Sequence, residues 1–195
     1  YSISHELAPV SCFFESQAAL YPMGPLKSQL STITIDKLIS NSNLASEAVK
    51  LSPLSSEVAT PDNNVYNFPS DDPRFFQLHA FHFVHQSYQW FEENLNFKMP
   101  HQISIETSVG YPEKTNTAFY FGKIIHLGDG DDVVFSKIPM DPSITTHESI
   151  HAIVDEVAQL PFTGEGGSIN EAFADFFTTN LLNTPNLGEV AYKKA

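Results

Sequence analysis

The stretch THESIHAIVDE, from Thr146 to Glu156, decides how this part of the chain folds and what it binds. Apolar residues in it and directly after it recur at positions i, i+3, i+4 and i+7, which is the pattern of one helical face. They are Ile150, Ile153, Val154 and Val157. Asp141 followed by Pro142 is typical of a helix start, so the sequence predicts a helix that begins there and includes the whole stretch.

Two histidines lie one turn apart on this helix, on a face next to the apolar one. His147 and His151 are four residues apart, which places their Cβ atoms about 5 to 6 Å from each other. This spacing lets two imidazoles bind one tetrahedral metal ion. Glu148 lies about 100° around the helix from His147, where it can reach a metal-bound water rather than the metal itself.

A capped helix without a metal explains the same residues. Thr145 and Glu148 match the Ser/Thr-x-x-Glu capping box, and exposed histidine pairs are common on helices. On these residues alone, a zinc site and a capped helix both stay open.

A third ligand is available downstream. Glu171 follows His151 by 20 residues, which leaves room for the first helix to end, a loop to turn and a second helix to return. Asp175 lies one turn beyond Glu171 and can accept the second N–H of a ligating imidazole. Ser168 and Glu171 also match a capping box, in which Glu171 would only cap its own helix. The combined spacing of both histidines, Glu171 and Asp175 favours zinc.

These residues together resemble thermolysin-like zinc metallopeptidases, the gluzincin group that holds zinc with two His and one Glu. The resemblance rests on HESIH at residues 147–151, on the 20-residue gap and on GSINEAFAD at residues 167–175. Upstream, NTAFY at residues 116–120 is similar to the family's substrate-binding edge strand, and GDGD at residues 128–131 to its glycine-acid turn. The likeness extends over roughly residues 66–182.

The resemblance implies a role for each site residue. His147, His151 and Glu171 would bind zinc, and Glu148 would be the general base that takes a proton from a zinc-activated water as it attacks the peptide carbonyl.

The resemblance also implies residues that support the zinc site and the substrate. Asp175 would orient His147, and Asn170 would also lie just outside the zinc ligands. Asn116, Thr117 and Ala118 would bind an extended peptide substrate through the backbone of the edge strand.

The implied fold is α+β, with an antiparallel or mixed sheet, long helices and a zinc site on two helices of a zincin-like N-terminal lobe. The implied function is a zinc-dependent endopeptidase that is secreted or exported and acts on peptides or proteins. Because the chain ends at Ala195, the family's C-terminal helical lobe is largely absent, and we expect association with such a lobe or with a second chain.

Two residues depart from the family pattern. Thr117 replaces an Asn of the edge strand, and Phe162 aligns with a Tyr that stabilises the oxyanion. Loss of one such donor costs on the order of 3 kcal/mol. A non-catalytic zinc-bound module that binds a peptide or partner, or half of a two-chain enzyme, is therefore the alternative function.

The composition excludes two classes of partner. The 195 residues include 23 Asp and Glu against 10 Lys and Arg, a formal net charge of -13. Nucleic acids and anionic membrane surfaces bind clustered basic residues, so neither is expected. The sequence has no run of about 18 apolar residues that could span a bilayer. Its one cysteine, Cys12, leaves the redox compartment open.

The rest of the chain divides into two parts by its patterns. Residues 1–65 are predicted to be a lead-in segment with a strand near residues 30–35 and a short helix near residues 45–51. Residues 66–195 form the expected catalytic lobe, which begins with a helix from Asp72 to about Asn96. Its histidines at 79, 82 and 85 do not share one face of the helix, so we expect them to be structural or solvated and not to form a metal cluster.

Strand periodicity follows this first helix. Strands are predicted at residues 103–109, 118–121, 124–125 and 133–135. The acidic segment GDGDD at residues 128–132 lacks the spacing of a calcium loop. We favour a tight acidic turn over a calcium site there.

Overall fold

The computed structural model describes residues 12–55 and 57–193, which contain two β-sheets and three α-helices. The helices are α1 (Pro73–Leu95), α2 (Pro142–Ala158) and α3 (Gly164–Leu181). The strands are β1 (Phe14–Leu20), β2 (Ser31–Leu38), β3 (Val49–Leu51), β4 (Val65–Tyr66), β5 (Ile103–Thr107), β6 (Ala118–Phe121) and β7 (Ile124–Leu127). A single 3-10 turn, Ile138–Met140, leads into α2.

The second sheet positions the candidate site. Its strand order is β3-β5-β7-β6, and the first sheet has the order β2-β1-β4. β3, β5 and β7 run parallel, whereas β6 pairs antiparallel with β7 as the first arm of a hairpin. The sheet is mixed because β7 pairs in parallel with β5 on one side and antiparallel with β6 on the other. The α+β fold predicted from the sequence is thus confirmed, and β6 is an edge strand.

One hydrophobic cluster joins the sheets to the helices. α1 supplies Leu78, Phe81 and Val84, which are fully buried, and α2 supplies Ile150. Residues from before position 65, such as Leu20 of β1, belong to the same cluster. None of the helices within the described residues is long and apolar enough to cross a membrane.

The three histidines of α1 have structural contacts, as predicted. His79 Nδ1 lies 2.8 Å from the carbonyl oxygen of Phe75, and its Nε2 accepts the N–H of Tyr21. His82 Nε2 lies 3.1 Å from the carbonyl oxygen of Pro22, and His85 Nε2 lies 3.0 Å from that of Asp36 in β2. Each imidazole therefore joins α1 to its surroundings.

Most of the secondary-structure predictions hold, including the strands that are now β5, β6 and β7, and two are wrong. The helix starts at Asp72 and Asp141 and the strand near residues 30–35 are confirmed. Residues 45–51 form no helix, because Val49–Leu51 pairs with β5. Residues 133–135 form no strand, because the carboxylate of Asp131 accepts the N–H groups of Val133 and Val134 in a tight turn.

Acid should destabilise this fold through its buried imidazoles. Burial lowers the pKa of His79 and of His82 to about 4, from 6.5 in the unfolded chain. Between these values the unfolded state binds more protons, so stability is complete above about pH 6.5 and falls as the pH drops toward 4. We expect a loss on the order of 3 kcal/mol for each histidine, measured by urea unfolding at several pH values.

His82→Gln provides the control, because its amide can still donate to the carbonyl of Pro22 but cannot be protonated in this range. The free energy of unfolding of this variant should depend less steeply on pH than that of the wild type. Equal slopes for the two proteins would contradict the assignment.

Candidate metal centre and active site

Helix α2 begins where the sequence predicts, which removes one alternative. Asp141 is its N-cap, and the Asp141 carboxylate accepts the N–H groups of Ser143 and Ile144. Thr145 is therefore inside the helix, fully buried, and cannot be the first residue of a capping box with Glu148.

Helix α3 begins earlier than its sequence suggests. Its N-cap is Thr163, and Ser168 lies inside the helix, where its hydroxyl donates to the carbonyl of Gly164. The capping box of Ser168 and Glu171 is therefore absent. Glu171 lies two turns into the helix, and its carboxylate faces α2.

Three ligand atoms from the two helices converge. His147 Nε2 lies 3.0 Å from His151 Nε2 and 3.2 Å from Glu171 Oε2. His151 Nε2 lies 3.5 Å from Glu171 Oε1. A tetrahedral zinc with bonds of about 2.0 to 2.1 Å separates its ligand atoms by roughly 3.3 Å, so these distances fit one ion. Within the described parts of the chain, no other group of three or more His, Cys, Asp or Glu residues is placed to hold a metal ion.

The other ring nitrogens show why a cation fits here. His147 Nδ1 lies 2.9 Å from Asp175 Oδ1, and His151 Nδ1 lies 2.8 Å from Asn170 Oδ1. Asp175 offers a carboxylate oxygen, and Asn170 is oriented with its amide oxygen toward His151, so both partners are acceptors. Both Nδ1 atoms therefore carry the proton. The two Nε2 lone pairs then face each other across 3.0 Å, an arrangement that a cation between them stabilises.

Glu148 lies beside the three ligands without joining them. The residue is 7% exposed, and the backbone N–H of Tyr120 in β6 faces its carboxylate. Burial, and secondly the carboxylate of Glu171, raise the pKa of Glu148 to about 8. A divalent cation on the neighbouring ligands would favour the ionised carboxylate, the form that accepts a proton.

The predicted substrate residues lie at the start of the edge strand. Ala118 begins β6, whereas Asn116 and Thr117 precede it. Asn116 Oδ1 accepts the N–H of Asp131, and the carbonyl of Thr117 accepts the N–H of Gly128. Asn116 and the Thr117 carbonyl therefore bind the acidic turn, whereas the side of β6 that faces away from β7 has no strand partner among the described residues.

The acidic turn is held by its own backbone. Asp131 accepts N–H groups from Val133 and Val134, which lowers the pKa of Asp131 to about 2. Asp132 forms an ion pair with Lys114. The favoured interpretation as a tight acidic turn agrees with these contacts.

Two contacts of the site were not predicted from the sequence. Tyr120 touches Glu148 through its backbone, and its hydroxyl donates to Asp155 on α2 at 3.0 Å. The ring of Phe162, which is 52% exposed, has its centroid 6.5 Å from that of His151. These contacts join elements that are distant in the sequence, so local patterns do not predict them. The alternation of β6 indicates only that the Tyr120 side chain points inward.

Comparison with known proteins agrees with this geometry. Residues 22–155 match the family described as thermolysin metallopeptidase, catalytic domain. The match includes His147, Glu148 and His151 and ends before Glu171. It begins well before residue 66, so the family likeness extends into the segment that the sequence left without a resemblance.

Two bacterial relatives are similar over part of the chain. A bacillolysin of Bacillus cereus is 27% identical over 119 residues, 60% of this chain and 20% of that protein. A zinc metalloproteinase of Listeria monocytogenes serovar 1/2a is 32% identical over 115 residues, 54% of this chain and 21% of that protein. The matched part of the chain thus spans about a fifth of the length of these relatives.

A solved structure shares the fold. The precursor of protealysin, a metalloproteinase from Serratia proteamaculans, superposes with a TM-score of 0.53 at 15% identity, over 70% of this chain and 44% of that one. At this identity the likeness concerns the fold alone. The family match covers more than half of the chain and includes the helix that holds both histidines and Glu148, so this chain belongs to the thermolysin family of metallopeptidases.

Proposed function

We propose that this chain holds one zinc ion on His147, His151 and Glu171 and hydrolyses peptide bonds with Glu148 as the general base. The observation that supports this most directly is the convergence of three ligand atoms within 3.0 to 3.5 Å of one another, next to a buried carboxylate that is not a ligand. A relative bears the name zinc metalloproteinase, which agrees with the choice of metal.

Each residue of the centre has a defined task in this proposal. A zinc ion on these ligands would supply a Lewis acid for the scissile carbonyl and for the attacking water. Glu148 takes the proton of that water and passes it to the departing amine. Asp175 and Asn170 hold the imidazoles in the tautomer that leaves Nε2 free for the metal.

The substrate would be an extended peptide that adds to the edge of β6. Edge strands present unpaired N–H and C=O groups, and a peptide can pair with them as an added strand. β6 begins at Ala118, directly after Asn116 and Thr117, and contacts Glu148 through the N–H of Tyr120. A peptide on this edge would therefore lie beside the general base and the metal ligands.

A second lobe or second chain would cover the other side of the site. Helix α3 exposes Ile169, Phe173 and Phe176, which are 42%, 45% and 58% exposed and lie at positions i, i+4 and i+7. Such an apolar helical face is typical of a surface that another element covers. We propose association with a helical lobe, and, from the family resemblance, export from the cell.

One observation favours a second candidate function. Phe162 lies near His151 and has no hydroxyl to stabilise an oxyanion. A non-catalytic zinc-bound module that binds a peptide or a partner chain would not need that donor. Cleavage assays separate the two functions.

Glu148→Gln tests the general base. The variant should bind zinc at the wild-type stoichiometry, while peptide cleavage falls by about 10²-fold to 10⁴-fold, because an amide cannot accept the proton. Cleavage is measured by mass spectrometry on a denatured protein mixture, with and without a chelator, and zinc by elemental analysis. Glu165→Gln, an exposed position in the first turn of α3, is the matched control.

The outcomes distinguish the candidates. Chelator-sensitive cleavage by the wild type that survives in Glu148→Gln would exclude Glu148 as the base. A wild type that binds zinc and an extended peptide but never cleaves it supports the non-catalytic module.

Glu171→Ala tests the third ligand. We expect zinc binding to weaken at least 10²-fold, because the two imidazoles that remain do not complete a tetrahedral protein site. Glu171 has a 61% exposed side chain, so helix α3 should fold without it. Zinc affinity is measured by competition with a coloured chelator, and Glu165→Ala on the same helix should keep the wild-type value. Equal affinities for both variants would rule out Glu171 as a ligand.

Asp175→Ala tests the outer partner of His147. Removal of the acceptor at Nδ1 should weaken zinc binding by about 10-fold to 100-fold, less than the loss of a ligand. Asp175→Asn, which keeps an acceptor oxygen, should recover most of the affinity in the same competition assay. An Asp175→Ala protein with unchanged affinity would show that this contact does not serve the metal.

A further inference from the structure

Tyr120 of the edge strand contacts helix α2 at two separate points. Its backbone N–H faces the carboxylate of Glu148, and its hydroxyl donates to Asp155 Oδ2 at 3.0 Å. The residue is 4% exposed, so both contacts lie in the packed layer between strand and helix. One residue thus binds the proposed general base and the helix that bears it.

The two points lie along one side of the helix. Asp155 follows Glu148 by seven residues, which is close to two complete turns and about 10 Å along the helix axis. The backbone of Tyr120 meets the helix at one end of this span and its hydroxyl at the other. Two contacts so far apart oppose both sliding and rotation of β6 relative to α2.

The strand needs such a restraint because of its place in the sheet. β6 pairs with β7 on one side only, and no described strand pairs with its other side. An edge strand held on one side can shift more easily than a central one. A hydrogen bond to a carboxylate is among the stronger single contacts available to it.

We propose that the Tyr120 hydroxyl and Asp155 form a positioning pair that fixes β6 against Glu148 and so aligns a bound peptide for attack. This inference rests on the proposed peptidase function. The substrate would pair with β6, whereas the base belongs to α2, so the relative position of the two elements decides whether the scissile carbonyl meets its nucleophile. A displacement on the order of 1 Å can cost about 10²-fold in rate.

The pair predicts a specific split of the kinetic constants. Tyr120→Phe keeps the ring and the strand but removes the hydroxyl, and Asp155→Ala removes the acceptor. In the zinc-loaded protein of natural full length, each should lower kcat about 10-fold with little change in KM, because the peptide still pairs with β6 but is poorly aligned. The double variant should lose no more than either single variant.

The conservative variant and a control separate positioning from general damage. Asp155→Asn keeps an acceptor oxygen for the hydroxyl and should retain kcat within about threefold of the wild type. Tyr111→Phe changes a tyrosine that is 62% exposed and should have no effect. Zinc affinity should stay at the wild-type value in all variants. Additive losses, a lost zinc ion in Tyr120→Phe, or an Asp155→Asn protein as slow as Asp155→Ala would overturn the proposal.

A readout without catalysis keeps this test independent of the peptidase activity. The N–H of Tyr120 faces Glu148 in the packed layer between β6 and α2, so in Tyr120→Phe and Asp155→Ala the hydrogen exchange of β6 should accelerate about 10-fold. If the wild type cleaves no peptide, the proposed function fails, and the exchange rates alone decide the positioning role. Unchanged exchange in both variants would refute it.

Discussion

The candidate site depends on how helix α2 is held on three sides. α1 contacts it through the hydroxyls of Ser87 and Ser149, which lie 2.7 Å apart in the buried interface. β6 contacts it through Tyr120, and α3 contacts it through the bonds of Asn170 and Asp175 to the two imidazoles. Two imidazoles one turn apart form a metal site only if neither ring can rotate freely, and these outer contacts prevent such rotation.

Electrostatics explain why the same place suits a cation. Glu148, Glu171 and Asp175 bring three carboxyl groups close to the two imidazoles. Among the described residues, the ion-pair partners of Glu171 and Asp175 are the histidines themselves. The burial of Glu148 and the nearby carboxylate of Glu171 raise the pKa of Glu148 to about 8. A divalent ion would offset this repulsion, so the centre has an unfavourable charge balance until it binds one.

Helices α1 and α3 differ in how their apolar surface is covered. α1 is mostly buried between Phe75 and Phe91 and joins the two sheets to α2 in one core. α3 instead buries the side that faces α2 and exposes a stripe with Phe173 and Phe176. Such an exposed aromatic stripe next to the candidate metal ligands is costly in water, which is the physical basis for proposing a covering lobe.

The sequence alone determined the features that arise from local periodicity and from short spacing. The i, i+4 histidine pair with Glu148 beside it, the helix starts at Asp72 and Asp141, and the strands β6 and β7 all follow from patterns within a few residues. The helix starts and both strands are confirmed. The position of Glu171 against the two histidines could be anticipated as well, because a helix-loop-helix spacing limits which later residues return to the first helix. The sequence could not decide whether Thr145 and Ser168 begin capping boxes, because a cap requires a helix boundary at that residue. In the structure the two helices begin at other residues.

Only the tertiary structure decided the contacts between elements that are distant in the chain. Val49–Leu51, inside the predicted helix of residues 45–51, form a strand because β5 offers a partner, and residues 133–135 form none because Asp131 occupies their N–H groups. The contacts of Tyr120 with Glu148 and Asp155 likewise join a strand to a helix about 30 residues later. Local patterns specify which face a residue presents, but the packing of whole elements determines what that face meets.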